Sequence, residues 1–204
     1  MLGNTLREGY VQMPPGALRQ TIRLDYGTLA LRVLEAYGFE GNIVPPSDPV
    51  YGDISVQYGT DQAHRCRVML TGIQHAATGM PFYQFQFELG YPGSNSVSST
   101  HAADVSYTLG LVYNPRYARV YGPADRKLAD VMEAYWSNFA KAGDPNGAGL
   151  PEWRKFDADH RAYMAFRATG AVPAEGLRRA QCDVFMDAEK ARPTWEYPER
   201  GAKW

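Results

Sequence analysis

The sequence predicts an α/β protein, and within it the C-terminal part of the sheet. Three observations carry that reading. Residues 82–89 (FYQFQFEL) alternate Tyr83, Phe85, Phe87 and Leu89 with Gln84, Gln86 and Glu88, the period-two pattern of a half-buried strand. Residues 124–142 carry one apolar stripe, Leu128, Val131, Met132, Tyr135, Trp136, Phe139 and Ala142, which is the period of a helix lying on a core. Between them, residues 90–110 open into a Gly/Ser-rich loop that delivers His101 and re-enters a short helix. Strand, helix, strand, histidine loop and packing helix in that order are an α/β arrangement.

The opening, MLGNTLREGY, reads as the tail of a strand running into a loop at Glu8-Gly9, and a chain that starts inside a strand looks truncated. QMPPG at 12–16 breaks the chain; residues 17–37 are mostly helical, interrupted at Gly27 and stopped at Gly38. Residues 42–52 form a Pro-rich connection. A second helical region covers 53–79, with Thr60 or Asp61 as N-cap and Ala63, Cys66, Met69, Leu70, Ile73, Ala76 and Ala77 as its core face. Pro81 then starts the alternating strand, and 113–123 is a surface loop. Gly143 ends the long helix before the turn Asp144-Pro145-Asn146-Gly147. A short strand at 163–167, a last helix at 173–190 and a loosely held tail at 192–204 complete the chain.

Composition narrows the function. A chain of 204 residues suits one domain, and 14 Tyr, 8 Phe and 4 Trp supply a sizeable core. Lys and Arg number 21 against 22 acidic residues, with no basic run, which argues against a nucleic-acid partner. No apolar run approaches a membrane span, and no basic-then-apolar leader follows Met1. Cys66 and Cys182 match no zinc knuckle and histidine is scarce, so neither metal nor cofactor is expected. Taken alone in a cytosolic protein, the two cysteines read as buried free thiols. His64, His75 and His160 read as surface or packing residues. His101, on a loop just past a strand, stands where a hydrolase keeps its general base, although a lone loop histidine often has no task.

The residues 134–151 (AYWSNFAKAGDPNGAGLP), followed by Trp153, closely resemble the late segment of the type B carboxylesterases, the cholinesterase-like α/β-hydrolases. There a helix ending in YW-x-NFA-K-x-GDPN precedes Pro-x-Trp. Residues 98–110 are similar to the family's G-x-x-H-G-x-E-x-x-Y-x-F-G, with His101, Tyr107 and Gly110 in register. Residues 2–9 resemble its strand end followed by G-[ST]-N-x-x-E-G, which places the triad acid on Glu8. Residues 61–68 resemble D-x-x-F-x-C-P, and 182–186 resemble C-x-F-W. The chain departs from these patterns at Ala102 for Gly, Asp104 for Glu, Arg67 for Pro and Met186 for Trp. The nucleophile elbow G-x-S-x-G is nowhere in the 204 residues; GSNSV at 93–97 lacks the second Gly.

The resemblance implies the C-terminal part of an α/β-hydrolase fold, an incomplete central sheet with packing helices. Residues 1–204 would be one portion of a single domain whose N-terminal half, with the elbow and oxyanion-hole glycines, is missing. The implied activity is carboxylic ester hydrolysis through a Ser-Glu-His triad. His101 would take the serine proton and return it to the leaving alcohol, and Glu8 would hold the imidazole tautomer. Asp104 would brace the loop, or simply be a helix-start carboxylate. The implied partners are a small-molecule carboxylic ester and the other half of the fold. The isolated chain would be inactive, since losing the nucleophile costs on the order of a million-fold. The competing class is a non-catalytic adhesion module of the same fold. The resemblance also pairs Cys66 with Cys182, and with that a secreted or periplasmic protein. If all this holds, the Glu8 carboxylate and the His101 imidazole meet within about 3.2 Å.

Overall fold

The structure, a computed structural model, describes residues 1–8, 13–90, 92, 99–116 and 120–191. The expectations for the 93–97 segment and the 192–204 tail lie outside the described residues. Four strands form one sheet in the order β1 (Leu2–Thr5), β2 (Gln84–Phe87), β3 (Ala162–Arg167), β4 (Gly170–Glu175). The first three are parallel, and β4 returns antiparallel to β3.

One face of the sheet is covered by α5 (Val105–Thr108) and α6 (Pro123–Ala142). There Tyr83, Phe85, Phe87, Met164 and Phe166 pack on Leu128, Met132, Tyr135 and Trp153. Helix α6 starts with Pro123 at its first turn, where the missing N–H is not needed, and Gly122 N–H bonds Asp125 Oδ2 at 2.8 Å. It ends at Gly143, whose φ of 71° only glycine adopts without strain and whose N–H closes on the Phe139 carbonyl at 2.8 Å. The turn that follows has a packing role. Asn146 receives Trp153 N–H at 2.7 Å and donates to Trp153 O at 3.0 Å, which lays the indole flat enough for Nε1 to reach Gln84 O at 3.0 Å.

The opposite face carries α4 (Cys66–Ala77) and α7 (Arg179–Ala191) around Met69, Phe82, Phe156, Tyr163, Ala165 and Phe185. Cys66 and Cys182 are disulfide-bonded there, with an S–S distance of 2.08 Å across 116 residues. An outer layer of α1 (Pro15–Tyr26), α2 (Ala30–Ala36) and α3 (Ile54–Thr60) packs on α7 through Leu18, Ile22, Val33, Leu34 and Val184. The break between α1 and α2 falls at Gly27, as the sequence predicts, and Gly38 stops α2 at φ 77°.

Four expectations are corrected. The segment 173–190 is not all helix: its first residues complete β4, and α7 begins at Arg179. Pro173 is tolerated opposite Met164 because β4 is a sheet edge, where a lost N–H breaks no ladder. Neither Thr60 nor Asp61 is an N-cap. Asp53 is, accepting from Ser55 N at 2.9 Å and Val56 N at 3.0 Å. From there the helix runs through Thr60 and a π-helical turn at Asp61–Arg65 into α4. Ala63, inside that turn, and Ala77, the last residue of α4, end up exposed rather than on the core face, while Cys66, Met69, Leu70, Ile73 and Ala76 keep it. Finally, β2 is not half-buried. Gln84 and Gln86 are both fully buried, because helices cover this parallel strand on both faces.

The buried polar layer under that face is held by charge. Arg65, fully buried, donates to Gln86 Oε1 at 3.0 Å and Leu6 O at 2.9 Å and pairs with Asp61. Asp61 also receives Arg178 at 2.9 Å and the Tyr37 hydroxyl at 3.0 Å.

Candidate active site

Strands β1 and β2 run parallel, so the loops leaving their C-terminal ends open at the same edge of the sheet, where open α/β proteins hold ligands. Glu8 leaves from β1 and His101 arrives by the loop after β2. Although 93 residues separate them, Glu8 Oε2 lies 2.5 Å from His101 Nδ1. The other carboxylate oxygen, Oε1, receives Thr5 N–H at 2.6 Å, and Glu8 N–H donates to Thr60 Oγ1 at 3.1 Å. The acid is therefore fixed at both ends of its residue. Its side chain is only 7% exposed, while that of His101 is 58% exposed. Among the described residues Nε2 has no hydrogen-bond partner.

The turn below the acid is tied down on every side. Arg65 holds Leu6 O, and Arg7 reaches Val50 O at 3.0 Å and Pro49 O at 2.9 Å. On the other flank Leu6 N–H meets Ser99 Oγ at 3.0 Å and Arg7 N–H meets Ser99 O at 2.9 Å. His101 is followed by Ala102 at φ 62°, a left-handed conformation that favours glycine. That is the physical sense of the glycine expected at this position.

Asp104 sits at the start of α5 without a capping side-chain bond, half-buried close enough to feel both Glu8 and His101. Burial pushes its carboxyl up from the ordinary range; the Glu8 charge adds to that, and the Asp104 and Val105 N–H groups oppose it. Beyond those two N–H groups, no hydrogen bond to its carboxylate is seen among the described residues.

Three neighbours of the pair were not legible in the sequence. Thr60 reads as an N-cap candidate and Ser99 as an ordinary loop hydroxyl, and neither reading points to Glu8. His64 reads as a surface or packing residue, and its ring centre lies 5.9 Å from that of His101, carried there by the π-helical turn. A carboxylate holding one nitrogen of an imidazole is an arrangement that suits a general base. It can accept a proton at Nε2 while Glu8 holds the Nδ1–H tautomer.

The carboxylesterase family pattern matches residues 34–185. Over 99 residues the chain is 31% identical to carboxylesterase 4A of Bos taurus, a match covering 48% of this chain and 18% of that protein. Over 118 residues it is 32% identical to the medium-chain fatty acyl-CoA hydrolase precursor of Anas platyrhynchos, covering 55% of this chain and 20% of that protein. Over 139 residues it is 27% identical to the bile salt-activated lipase of Homo sapiens, covering 64% and 18%. The matched regions thus span about a fifth of the relatives' length. With three-quarters of its residues inside the family pattern, and with a mixed four-stranded sheet sandwiched between helices as part of an α/β-hydrolase fold, this chain belongs to the carboxylesterase family.

Proposed function

We propose that this chain is the C-terminal portion of a carboxylesterase-type domain and supplies the acid, Glu8, and the base, His101, of a Ser-Glu-His triad that hydrolyses small-molecule carboxylic esters. The observation that carries this is the 2.5 Å contact between two side chains 93 residues apart, at the C-terminal edge of parallel strands. The nucleophilic serine comes from polypeptide preceding Met1, because G-x-S-x-G is absent from the 204 residues and the triad order in this fold is serine, acid, histidine. β1 offers the place for that half of the sheet: among the described residues it pairs on one side only. In the reaction the serine hydroxyl gives its proton to His101 Nε2 as it attacks the ester carbonyl. Glu8 stabilises the resulting imidazolium, and the proton then passes to the departing alcohol.

The disulfide supports a secreted or periplasmic setting, where such bonds persist. The names of the relatives are those of hydrolases, which does not favour an adhesion module. The test is turnover of a p-nitrophenyl ester. The native protein containing this chain should be active and lose about 10⁶-fold in kcat on His101→Ala, while the 204-residue chain alone should match buffer. A His101→Ala protein with undiminished turnover overturns the proposal.

A further inference from the structure

The end of the β1–β2 ladder is interrupted in a specific way. Leu2 stands opposite Gln84 and donates to Tyr83 O at 3.0 Å. In a parallel ladder every second residue repeats that rung, so the register continues with Asn4 N–H to Phe85 O and then Leu6 N–H to Phe87 O. The last of these is replaced. Leu6 N–H donates to Ser99 Oγ at 3.0 Å, and the Ser99 hydroxyl donates on to Phe87 O. Ser99 is fully buried, and its own carbonyl accepts Arg7 N–H, with Arg7 and Thr100 forming a parallel bridge.

We infer that Ser99 is a positioning residue: its hydroxyl is inserted as a relay in the last rung between β1 and β2, splays the two strand ends by one side-chain width, and so sets the separation at which Glu8 and His101 meet. The residue type is dictated by the task. The bridging atom must accept from an N–H on one side and donate to a carbonyl on the other, and it must reach from a backbone that lies between the strands. A hydroxyl does both; alanine does neither, and a carbonyl or an amide nitrogen does only one. Two residues downstream of the relay is His101, and two residues downstream of Leu6 is Glu8, so the wedge fixes both partners through equally short tethers. Without the hydroxyl, Leu6 N–H and Phe87 O are left as buried unpaired groups, which either close on each other directly or open to water. Either outcome moves Glu8 relative to the imidazole. The inference rests on the Glu8–His101 pair of the proposed function and adds what holds its geometry.

The test reads the pair itself rather than stability. In the full chain labelled with ¹⁵N at histidine, the nitrogen shifts of His101 at a pH where the ring is neutral report the ratio of Nδ1–H to Nε2–H tautomers. The Nδ1–H form that Glu8 accepts should predominate. Ser99→Ala, checked as folded by its melting curve, should lower that ratio about three- to tenfold, the span of one net hydrogen bond. Ser99→Thr, which keeps the hydroxyl, should restore it to within about twofold. A folded Ser99→Ala chain with the unchanged ratio overturns the inference, since a purely structural serine would lower the melting temperature and leave the tautomer alone. Should that variant not fold, amide exchange in the unsubstituted chain decides. Leu6 N–H must be protected, and exchange at the rate of an unstructured peptide overturns the relay. An absence of ester turnover in the native protein, with the tautomer response intact, supports the relay and sinks only the hydrolase reading.

Discussion

Asp61→Asn removes the one negative charge from a site built around two arginines. Asp61 is fully buried and takes four donors: Arg65, the Nε of Arg178 at 3.1 Å, its Nη2 at 2.9 Å and the Tyr37 hydroxyl at 3.0 Å. Arg178 retains some exposure, 13% of its side chain, and can turn toward water, but Arg65 has none. After the substitution every acceptor left to Arg65 is neutral, Gln86 Oε1, Leu6 O and at most the one remaining side-chain oxygen at position 61, and the new NH2 group faces the other donors. Removing one member of a buried ion pair costs about 3–5 kcal/mol, because a charge is left uncompensated away from water. That is a third or more of the stability of a typical domain. Urea denaturation measures it as a lower midpoint at unchanged slope. The double variant Asp61→Asn/Arg65→Met deletes the stranded charge, and should recover a large part of the loss, with a coupling of about 2–3 kcal/mol. A single-variant loss below about 1 kcal/mol, or strict additivity of the pair, would show that Arg65 is not stranded by the loss of Asp61.

Reduction of the Cys66–Cys182 bond, or its replacement by two alanines, should lower stability by roughly 4.7 kcal/mol in the chain-entropy account of a loop of about this length; an unchanged melting temperature in reductant would contradict the bond's stabilising role. Ala102→Gly should stabilise by about 0.5–1 kcal/mol, because alanine pays for φ 62° and glycine does not; a lower melting temperature would show that the strain is not there. Asp104 has a carboxyl pKa raised chiefly by burial, so its ionised form weakens the fold. The penalty is absent below the unfolded value of about 3.9 and complete above the folded one. Asp104→Asn should therefore be more stable than the parent at pH 7, with the difference fading as pH falls toward about 4; a gain that grows in acid would carry the wrong sign.

Helix α6 and strand β2 were legible because burial imposes a period, and 3.6 and 2 are hard to mistake over twenty and eight residues. What the period of β2 did not reveal is where its polar side goes. Gln84 and Gln86 look like a wet face, but both are buried, and Gln86 meets Arg65, 21 residues away in the chain, in a buried polar layer. β4 was hidden because Pro173 is a poor central-strand residue and an acceptable edge one, and edge status is a property of the sheet, not of the segment. The π-helical turn at Asp61–Arg65 carries no local signature, and with it went the true cap, Asp53, and the approach of His64 to His101. Of the candidate site, Glu8, His101 and the cysteine pairing came from motif order rather than from any pattern of burial. The contacts of Ser99 and Thr60 beside the pair were invisible because one hydroxyl acquires meaning only from the backbone groups that tertiary structure brings to it.

The central claim is that His101, oriented by Glu8, activates a serine lying outside these 204 residues. Its most direct measurement is covalent labelling of the native protein with a fluorophosphonate, followed by peptide mapping, in the parent and in His101→Ala. One labelled serine is expected within a G-x-S-x-G sequence upstream of Met1, with labelling abolished in the variant. A label on a serine of this chain, or labelling that persists without His101, would contradict it.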